Sequence, residues 1–244
     1  MKKIKISAVS YANTYPFLLG LEDFLKGDDF EIIRDVPSTC ATKLINNEVD
    51  LGLIPVATIP LVPNALIISD FCIGAVGPVK TVLLMSKVPL EKISKVYLDT
   101  ESRTSVKLAQ VLASKLWFKD WEYAILPFDY ISNPEIESMV LIGDKTQQKL
   151  PFPFQYDLAE AWQKLTGKPF VFAAWVANKS LSDEFISRFN VAIEKGLQRI
   201  PEAILKYDSG LNYDLESYLK NNISYPFDQD KKDALALFLE LIKD

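Results

Sequence analysis

Apolar and polar positions in this chain switch between a period of two and a helical period, and the switches set the elements. Ile4 to Val9 alternates as a strand. The polar stretch Ser10-Tyr11-Ala12-Asn13-Thr14 separates it from an apolar run, Phe17 to Leu25. A polar cap, an early Pro16 and Gly27 beyond the end predict a helix over that run. Phe30 to Val36 reads as a second strand. Cys40, Ala41, Leu44 and Ile45 share one helical face behind Pro37-Ser38, which predicts a helix with Ser38 as its N-cap. Val49 to Ile54 is a short strand, apolar almost throughout and therefore expected to be buried on both faces. Ala65 to Ser69 is another. Strands that alternate with helices predict βαβ units around a parallel sheet.

A second series follows. Val79 to Ser86 is a long apolar strand behind Gly74 and Gly77-Pro78. Val96 to Leu98 is the next strand, residues 103–117 a helix, and Tyr123 to Leu126 and Met139 to Ile142 further strands. Asp157 to Leu165 reads as a helix with Asp157 at its start and Gly167 past its end. Phe170 to Ala177 is again a strand. From Ser182 the pattern is helical to the end, interrupted at Gly210 and at Tyr225-Pro226. Two α/β series with a helical return suit two lobes, the first discontinuous, with strands 79–86 and 170–177 as hinge crossings. One continuous doubly wound domain with a helical tail fits the same pattern. In the two-lobed case a ligand lies between lobes, met by strand ends and helix N-termini.

Composition narrows the chemistry. With 244 residues, 49 % hydrophobic and 24 % charged, the chain is globular and long enough to bury its own core. The net charge of −5 argues against nucleic acid as a partner. Histidine is absent, which removes Ser-His-Asp and Cys-His catalysis and most zinc enzymes. Cys40 and Cys72 are too few for a disulfide framework and read as buried thiols. No metal-ligand set is visible, and no cofactor is expected. The carboxylate pairs Asp28/Asp29 and Asp183/Glu184 read as solvated edges. No apolar run approaches the ~20 residues of a membrane span. Met1-Lys2-Lys3-Ile4-Lys5 leads into neither an apolar signal core nor a cleavage site, so the expectation is a cytoplasmic protein away from membranes.

Four loops carry the candidate chemistry. Ser10, Tyr11, Asn13 and Thr14 offer hydroxyls and an amide at a helix start, a combination that holds anions without a charged side chain; capping alone also explains them. Ser38 with Thr39 offers hydroxyls at a second start, where capping is again sufficient. Gly74-Ala75-Val76-Gly77-Pro78-Val79-Lys80-Thr81 permits close backbone approach but lacks a Walker A ending or a dinucleotide fingerprint. Asp99-Thr100-Glu101-Ser102-Arg103-Thr104-Ser105 is the fourth. Arginine is scarce, four against 23 lysines, and Arg103 stands amid hydroxyls at a helix start that disfavours cations. It fits a carboxylate or phosphate clamp with Ser102, Thr104 and Ser105, or a salt bridge to Asp99 or Glu101. Gly143-Asp144 points a carboxylate toward the same cleft or caps a turn. Trp175 is read as core or as an aromatic wall.

Taken together, the segments resemble a known family. Val9-Ser10-Tyr11-Ala12-Asn13-Thr14-Tyr15-Pro16-Phe17 resembles the SYxNTxPF opening of the menaquinone-biosynthesis family typified by chorismate dehydratase. The likeness continues through Pro37-Ser38, residues 49–56 and 72–79, Leu98-Asp99, Ser102-Arg103-Thr104-Ser105 and Gly143-Asp144. It extends through Asp157-Leu158, Trp162, Leu165-Thr166-Gly167 and residues 169–173. It covers about residues 4–178 in order, and the helical tail matches only loosely. The resemblance implies an α/β fold of the type 2 periplasmic-binding-protein kind. Residues 1–84 and 178–244 would form one lobe and 85–177 the other, joined by two hinge strands with the cleft between them. It implies loss of water from chorismate to give 3-[(1-carboxyvinyl)oxy]benzoate on the futalosine route, in a monomer or homodimer. It also implies that the substrate's enolpyruvyl carboxylate serves as internal base while an Asn and a hydroxyl residue orient it. Those positions are Asn13 and Thr81, the latter standing where relatives usually carry Ser. Ser10, Tyr11, Thr14, Ser38, Gly77, Ser102, Arg103, Thr104, Ser105 and Asp144 are the expected substrate contacts. A sister enzyme that makes 1,4-dihydroxy-6-naphthoate shares the fold but opens SPCPND, unlike Ser10 to Thr14. A small-anion binding protein without chemistry is the other alternative.

Overall fold

A computed structural model describes residues 3–25, 30–207 and 210–243. Met1, Lys2, Gly27 and the Asp28/Asp29 pair, named above, lie outside the described residues. Two mixed sheets organise the chain, and each begins from the same kind of unit. In the first, β1 (Ile4–Val9), α1 (Tyr15–Phe24), β2 (Phe30–Asp35), α2 (Pro37–Ile45) and β3 (Leu51–Pro55) form two successive crossovers. They place β1 between β2 and β3 with all three strands parallel. β4 (Leu66–Ala75) joins the same sheet, and the chain after it leaves for the second.

The second sheet repeats the unit with β5 (Val82–Ser86), β6 (Lys95–Leu98), α3 (Arg103–Lys115), β7 (Glu122–Ile125) and β8 (Ser138–Ile142). Here β6 lies parallel to both β7 and β8, while β5 runs antiparallel between β8 and β9 (Phe154–Asp157). α4 (Leu158–Thr166) follows, and β10 (Phe170–Ala177) returns to the first sheet. The strand orders are β11-β4-β10-β3-β1-β2 and β7-β6-β8-β5-β9, with β11 spanning Ser224–Pro226.

Two expectations need correction. The sheets are mixed, because β10 and β5 enter antiparallel to their neighbours. The hinge crossings are also not the two long strands. β10 pairs along its length with β3 and β4 and all eight of its residues are buried, as a central strand covered on both faces must be. It therefore belongs to the first sheet, so the second unit stops short of residue 177. The strand predicted at 79–86 begins only at Val82. Gly77 at φ +93° and Lys80 at φ +64° break the extended run, and the Lys80 N–H is taken by the Asp157 carboxylate at 2.6 Å. The crossings are residues 76–81 and 167–169.

Several local readings are met. Asp157 caps α4, accepting from the Ala159 and Glu160 N–H groups, and Gly167 closes it in the left-handed conformation. Ser102 caps α3. Ser38 does not cap α2: Val36 is the N-cap, Pro37 occupies the first turn and Ser38 lies inside the helix.

The tail runs through α5 (Asp183–Leu197), α6 (Ile200–Tyr207), α7 (Leu215–Asn221) and α8 (Gln229–Leu241). α5 docks on α1 where two glycines meet. A Cβ on Gly20 would sit 2.1 Å from the Ala192 carbonyl oxygen, and one on Gly196 would sit 2.0 Å from that of Pro16. Only hydrogen fits there, so this contact fixes the tail against the first sheet. Trp175 is fully buried, edge-on to Phe189 and beside Phe17, and is core. Both cysteines are buried and free, with thiols pushed up by burial to about 12, so neither ionises at neutral pH.

Candidate active site

Between the sheets lies a cavity of about 50 Å³. Its wall comes from the loop after β1 (Tyr11, Asn13, Thr14), the first crossing (Val79, Thr81), the start of α3 (Ser102, Ser105) and Gly143 after β8. Leu53, Ile73, Ile142 and Phe172 complete an apolar lining. No lysine, arginine, aspartate or glutamate lines it among the described residues. Its polar groups are hydroxyls, one amide and backbone.

Asn13 is the most telling member. Its Oδ1 is buried and has no hydrogen-bond partner, a state that costs about 1–3 kcal/mol unless a ligand satisfies it. Its backbone is held from below, since the Tyr225 hydroxyl donates to the Asn13 carbonyl oxygen at 3.0 Å. Thr81 is buried, and its Oγ1 lies 2.8 Å from the hydroxyl of Tyr218 in α7. Burial pushes the Tyr218 phenol above its ordinary range, and the neighbouring Thr81 and Asn13 offset that only in part, so the phenol stays protonated. Tyr218 carries no signal in the sequence; it lies in the tail, 137 positions from Thr81.

At the start of α3, Ser102 Oγ accepts from the Ser105 N–H at 3.2 Å, and the two hydroxyls lie 3.0 Å apart. The N–H groups of the first turn and the helix dipole make this end a receptor for negative charge.

The rim is built differently. The Tyr11 hydroxyl donates to Glu101 across the sheets. Lys145 pairs with Asp99 at 2.7 Å and with Glu101 at 2.9 Å. Asp144 accepts from the Ala12 N–H at 3.2 Å and from the Tyr213 hydroxyl at 3.0 Å. Gly143, at φ +69°, lies against the Tyr11 ring so closely that a Cβ would come within 3.1 Å of it. Burial and then Glu101 push the Tyr11 hydroxyl far upward, leaving it a donor only.

The expected site residues therefore divide. Asn13, Thr81, Tyr11, Thr14, Ser102 and Ser105 converge on the cavity. Thr14 directs its hydroxyl to the Val9 and Tyr11 carbonyls, so it shapes the loop. The others lie outside. Ser10 is exposed and continues the β1–β2 ladder through its N–H. Ser38 yields its place on the wall to Pro37. Gly77 serves the turn. Thr104 is fully buried and accepts from the Ala57 N–H. Asp144 is a rim bond between segments. Arg103 is exposed and reaches Thr42 of α2 at 3.3 Å. The structure does not place it as a clamp over the cavity, and it is Lys145, not Arg103, that pairs with Asp99 and Glu101.

A profile of the menaquinone-biosynthesis family matches residues 4–244. The chain belongs to that family. A chorismate dehydratase of Thermus thermophilus is 27 % identical over 224 residues, covering 83 % of this chain and 80 % of the relative. Among solved structures, protein AF1704 from Archaeoglobus fulgidus superposes with a TM-score of 0.76 at 17 % identity, covering 99 % of this chain and 97 % of that one. The Candida albicans CA3427 gene product has the generic periplasmic-binding-protein fold. It superposes at 0.64 with 15 % identity, covering 100 % and 94 %. This family member thus has the two-lobed α/β fold of periplasmic binding proteins, with the cavity in its interlobe cleft. Among the described residues no helix is long and apolar enough to cross a membrane, and no cluster of metal-ligating side chains occurs.

Proposed function

We propose that this member of the menaquinone-biosynthesis family is a chorismate dehydratase, a hydro-lyase that forms 3-[(1-carboxyvinyl)oxy]benzoate and water. The observation that carries the reading is the buried, unpartnered Asn13 Oδ1 on a wall whose polar groups are all uncharged. Chorismate loses its ring hydroxyl and the proton on the neighbouring ring carbon, and the ring becomes aromatic. The driving force is large, so the site supplies orientation more than base strength. No side chain ionised at neutral pH lines the cavity, so the proton leaves to a group that the substrate brings. The enolpyruvyl carboxylate, tethered beside the departing proton, is that group. Asn13 Oδ1 and the Thr81 hydroxyl hold the reacting part in line, and exclusion of water strengthens each contact. The start of α3, with Ser102 and Ser105, receives a carboxylate. A cavity of about 50 Å³ holds only a few water molecules, so the lobes part to admit chorismate and close over it.

A second reading, a small-anion binding protein, is favoured by one feature: the wall has no general base of its own. One experiment separates the two. Purified protein is mixed with chorismate, and the ultraviolet spectrum and product masses are followed. Loss of chorismate to a benzoate one water lighter supports the dehydratase. Tight binding without conversion supports the receptor, and neither binding nor conversion removes both.

A further inference from the structure

We propose that Tyr218 is a positioning residue that fixes the direction of the hydrogen bond presented by Thr81 to the substrate. The inference rests on the dehydratase reading and adds to it a residue outside the four loops. Tyr218 is buried in α7, and its hydroxyl is 2.8 Å from Thr81 Oγ1. α7 is anchored at both ends. Asp214 caps its start by accepting from the Ser217 N–H at 2.9 Å, and just past its end Asn222 donates to the Pro78 carbonyl at 3.0 Å. The second bond ties the helix to the crossing that carries Thr81. The Tyr213 ring packs edge-on to Tyr218 at 5.7 Å, so the phenol has little freedom to turn.

The direction of the chain follows from acidity. A phenol is a better donor than an aliphatic alcohol, so Tyr218 O–H donates to Thr81 Oγ1. Thr81 then has its own O–H free to donate, and it lines the cavity. Asn13 Oδ1, on the same wall, is buried and has no hydrogen-bond partner. Tyr225 holds the Asn13 backbone at the same time. The wall therefore presents one donor, Thr81 O–H, and one acceptor, Asn13 Oδ1, with Tyr218 setting the direction of the first. Successive bonds in such a chain polarise one another in a dry site. A leaving hydroxyl is helped by the donor to its oxygen, is oriented by the acceptor, and departs as water with the proton that the substrate carboxylate takes from the ring carbon.

The test is a double-mutant cycle on chorismate turnover with Tyr218→Phe, Thr81→Val and both together. Tyr218→Phe is expected to lower kcat about tenfold or more with KM changed by less than about threefold. In the Thr81→Val background the same change is expected to cost less than about twofold, because its target is gone. Additive losses, or a loss confined to melting temperature, overturn the proposal. Tyr218→3-fluorotyrosine keeps ring and hydroxyl and makes the phenol a stronger donor, so it serves should the Phe variant not fold. It is expected to shift kcat about twofold with an unchanged melting temperature, and an unchanged kcat overturns the proposal. Wild-type turnover is measured first. Binding of chorismate without turnover removes the dehydratase reading alone; the cycle is then read on Kd by calorimetry, with the same non-additivity expected. Absence of both binding and turnover removes both.

Discussion

The inner wall and the rim of the cleft sit a few residues apart in sequence and follow opposite rules. On the wall, Asn13, Thr81, Ser102 and Ser105 carry no formal charge. At the rim, Lys145 pairs with Asp99 and Glu101 within the second lobe, and the Glu101 and Asp144 carboxylates accept from Tyr11, Ala12 and Tyr213 across the cleft. Asn13 and Tyr11 share a loop, and so do Ser102 and Glu101. The difference puts carboxylates on the contacts between lobes and leaves the cavity wall to neutral dipoles. A buried ionised side chain on the wall would carry a desolvation penalty and would repel or over-stabilise a dianion. Dipoles fixed by the fold carry no such penalty at the moment of reaction.

The sharpest test of that division is Asn13→Ala. Turnover of chorismate should fall about a hundredfold or more, the usual range for a lost positioning or electrostatic group. The melting temperature should hold within about 2 °C, because Tyr225 bonds the Asn13 backbone and not its amide. A variant that keeps turnover would take Asn13 out of the chemistry.

Thr81 gives the next largest effect, and two substitutions divide it. Thr81→Val keeps the shape and deletes the hydroxyl, leaving Tyr218 without its 2.8 Å partner; kcat should drop about tenfold or more. Thr81→Ser keeps the hydroxyl and should retain activity within about threefold, since only the χ1 stiffness of a β-branched residue is lost. Equal rates for Val and Ser would show that Thr81 merely fills space.

At the rim, Glu101→Gln tests the charged half. Burial raises the Glu101 carboxyl, and the bonds from Tyr11 and Lys145 outweigh it and hold the group below the ordinary range. A depressed carboxylate contributes stability that is present above its unfolded pKa of about 4.3 and lost as pH falls through the lower folded value. The group is part-exposed, so the contribution after solvent screening is about 0.5 kcal/mol, about 1–2 °C in Tm. Glu101→Gln should therefore melt slightly below wild type at pH 7, with the gap closing below about pH 4. Thermal scans across that range check it, and a gap that widens in acid would reverse the assignment.

How much of this was legible in the sequence depends on how far apart the partners are. The strand-to-helix loops that hold Asn13, Ser102 and Ser105 are local patterns, and local patterns are readable. The exchange of strands is not: nothing in the apolar run 170–177 says which sheet takes it, because a doubly covered central strand looks the same in either. Lys80 carries no mark of its left-handed backbone, so the apolar pattern starts β5 three residues before its first strand residue, Val82. Tyr218 was invisible because α7 reads as an ordinary polar helix in a tail whose pairing with Thr81 is purely tertiary. Asp144 was legible as a carboxylate aimed toward the cleft, but the N–H and hydroxyl that occupy it come from residues 12 and 213.

Arg103 is the instructive error and gives the smallest expected effect. Its composition argument was sound, a scarce arginine among hydroxyls at a helix start, but helix phase decides the outcome. Arg103 and Ser105 are two positions apart, about 200° around the axis at 3.6 residues per turn, so when Ser105 faces the cavity Arg103 faces away. The structure has Ser105 buried and Arg103 exposed, with one 3.3 Å bond to Thr42 on the opposite lobe. Arg103→Ala should change KM for chorismate by less than about threefold and leave kcat untouched, since an exposed hydrogen bond contributes little. Steady-state kinetics at low salt, where any long-range attraction of a dianion is strongest, is the demanding condition. A tenfold rise in KM there would return the guanidinium to the binding site and show that a cation, and not dipoles alone, holds the substrate.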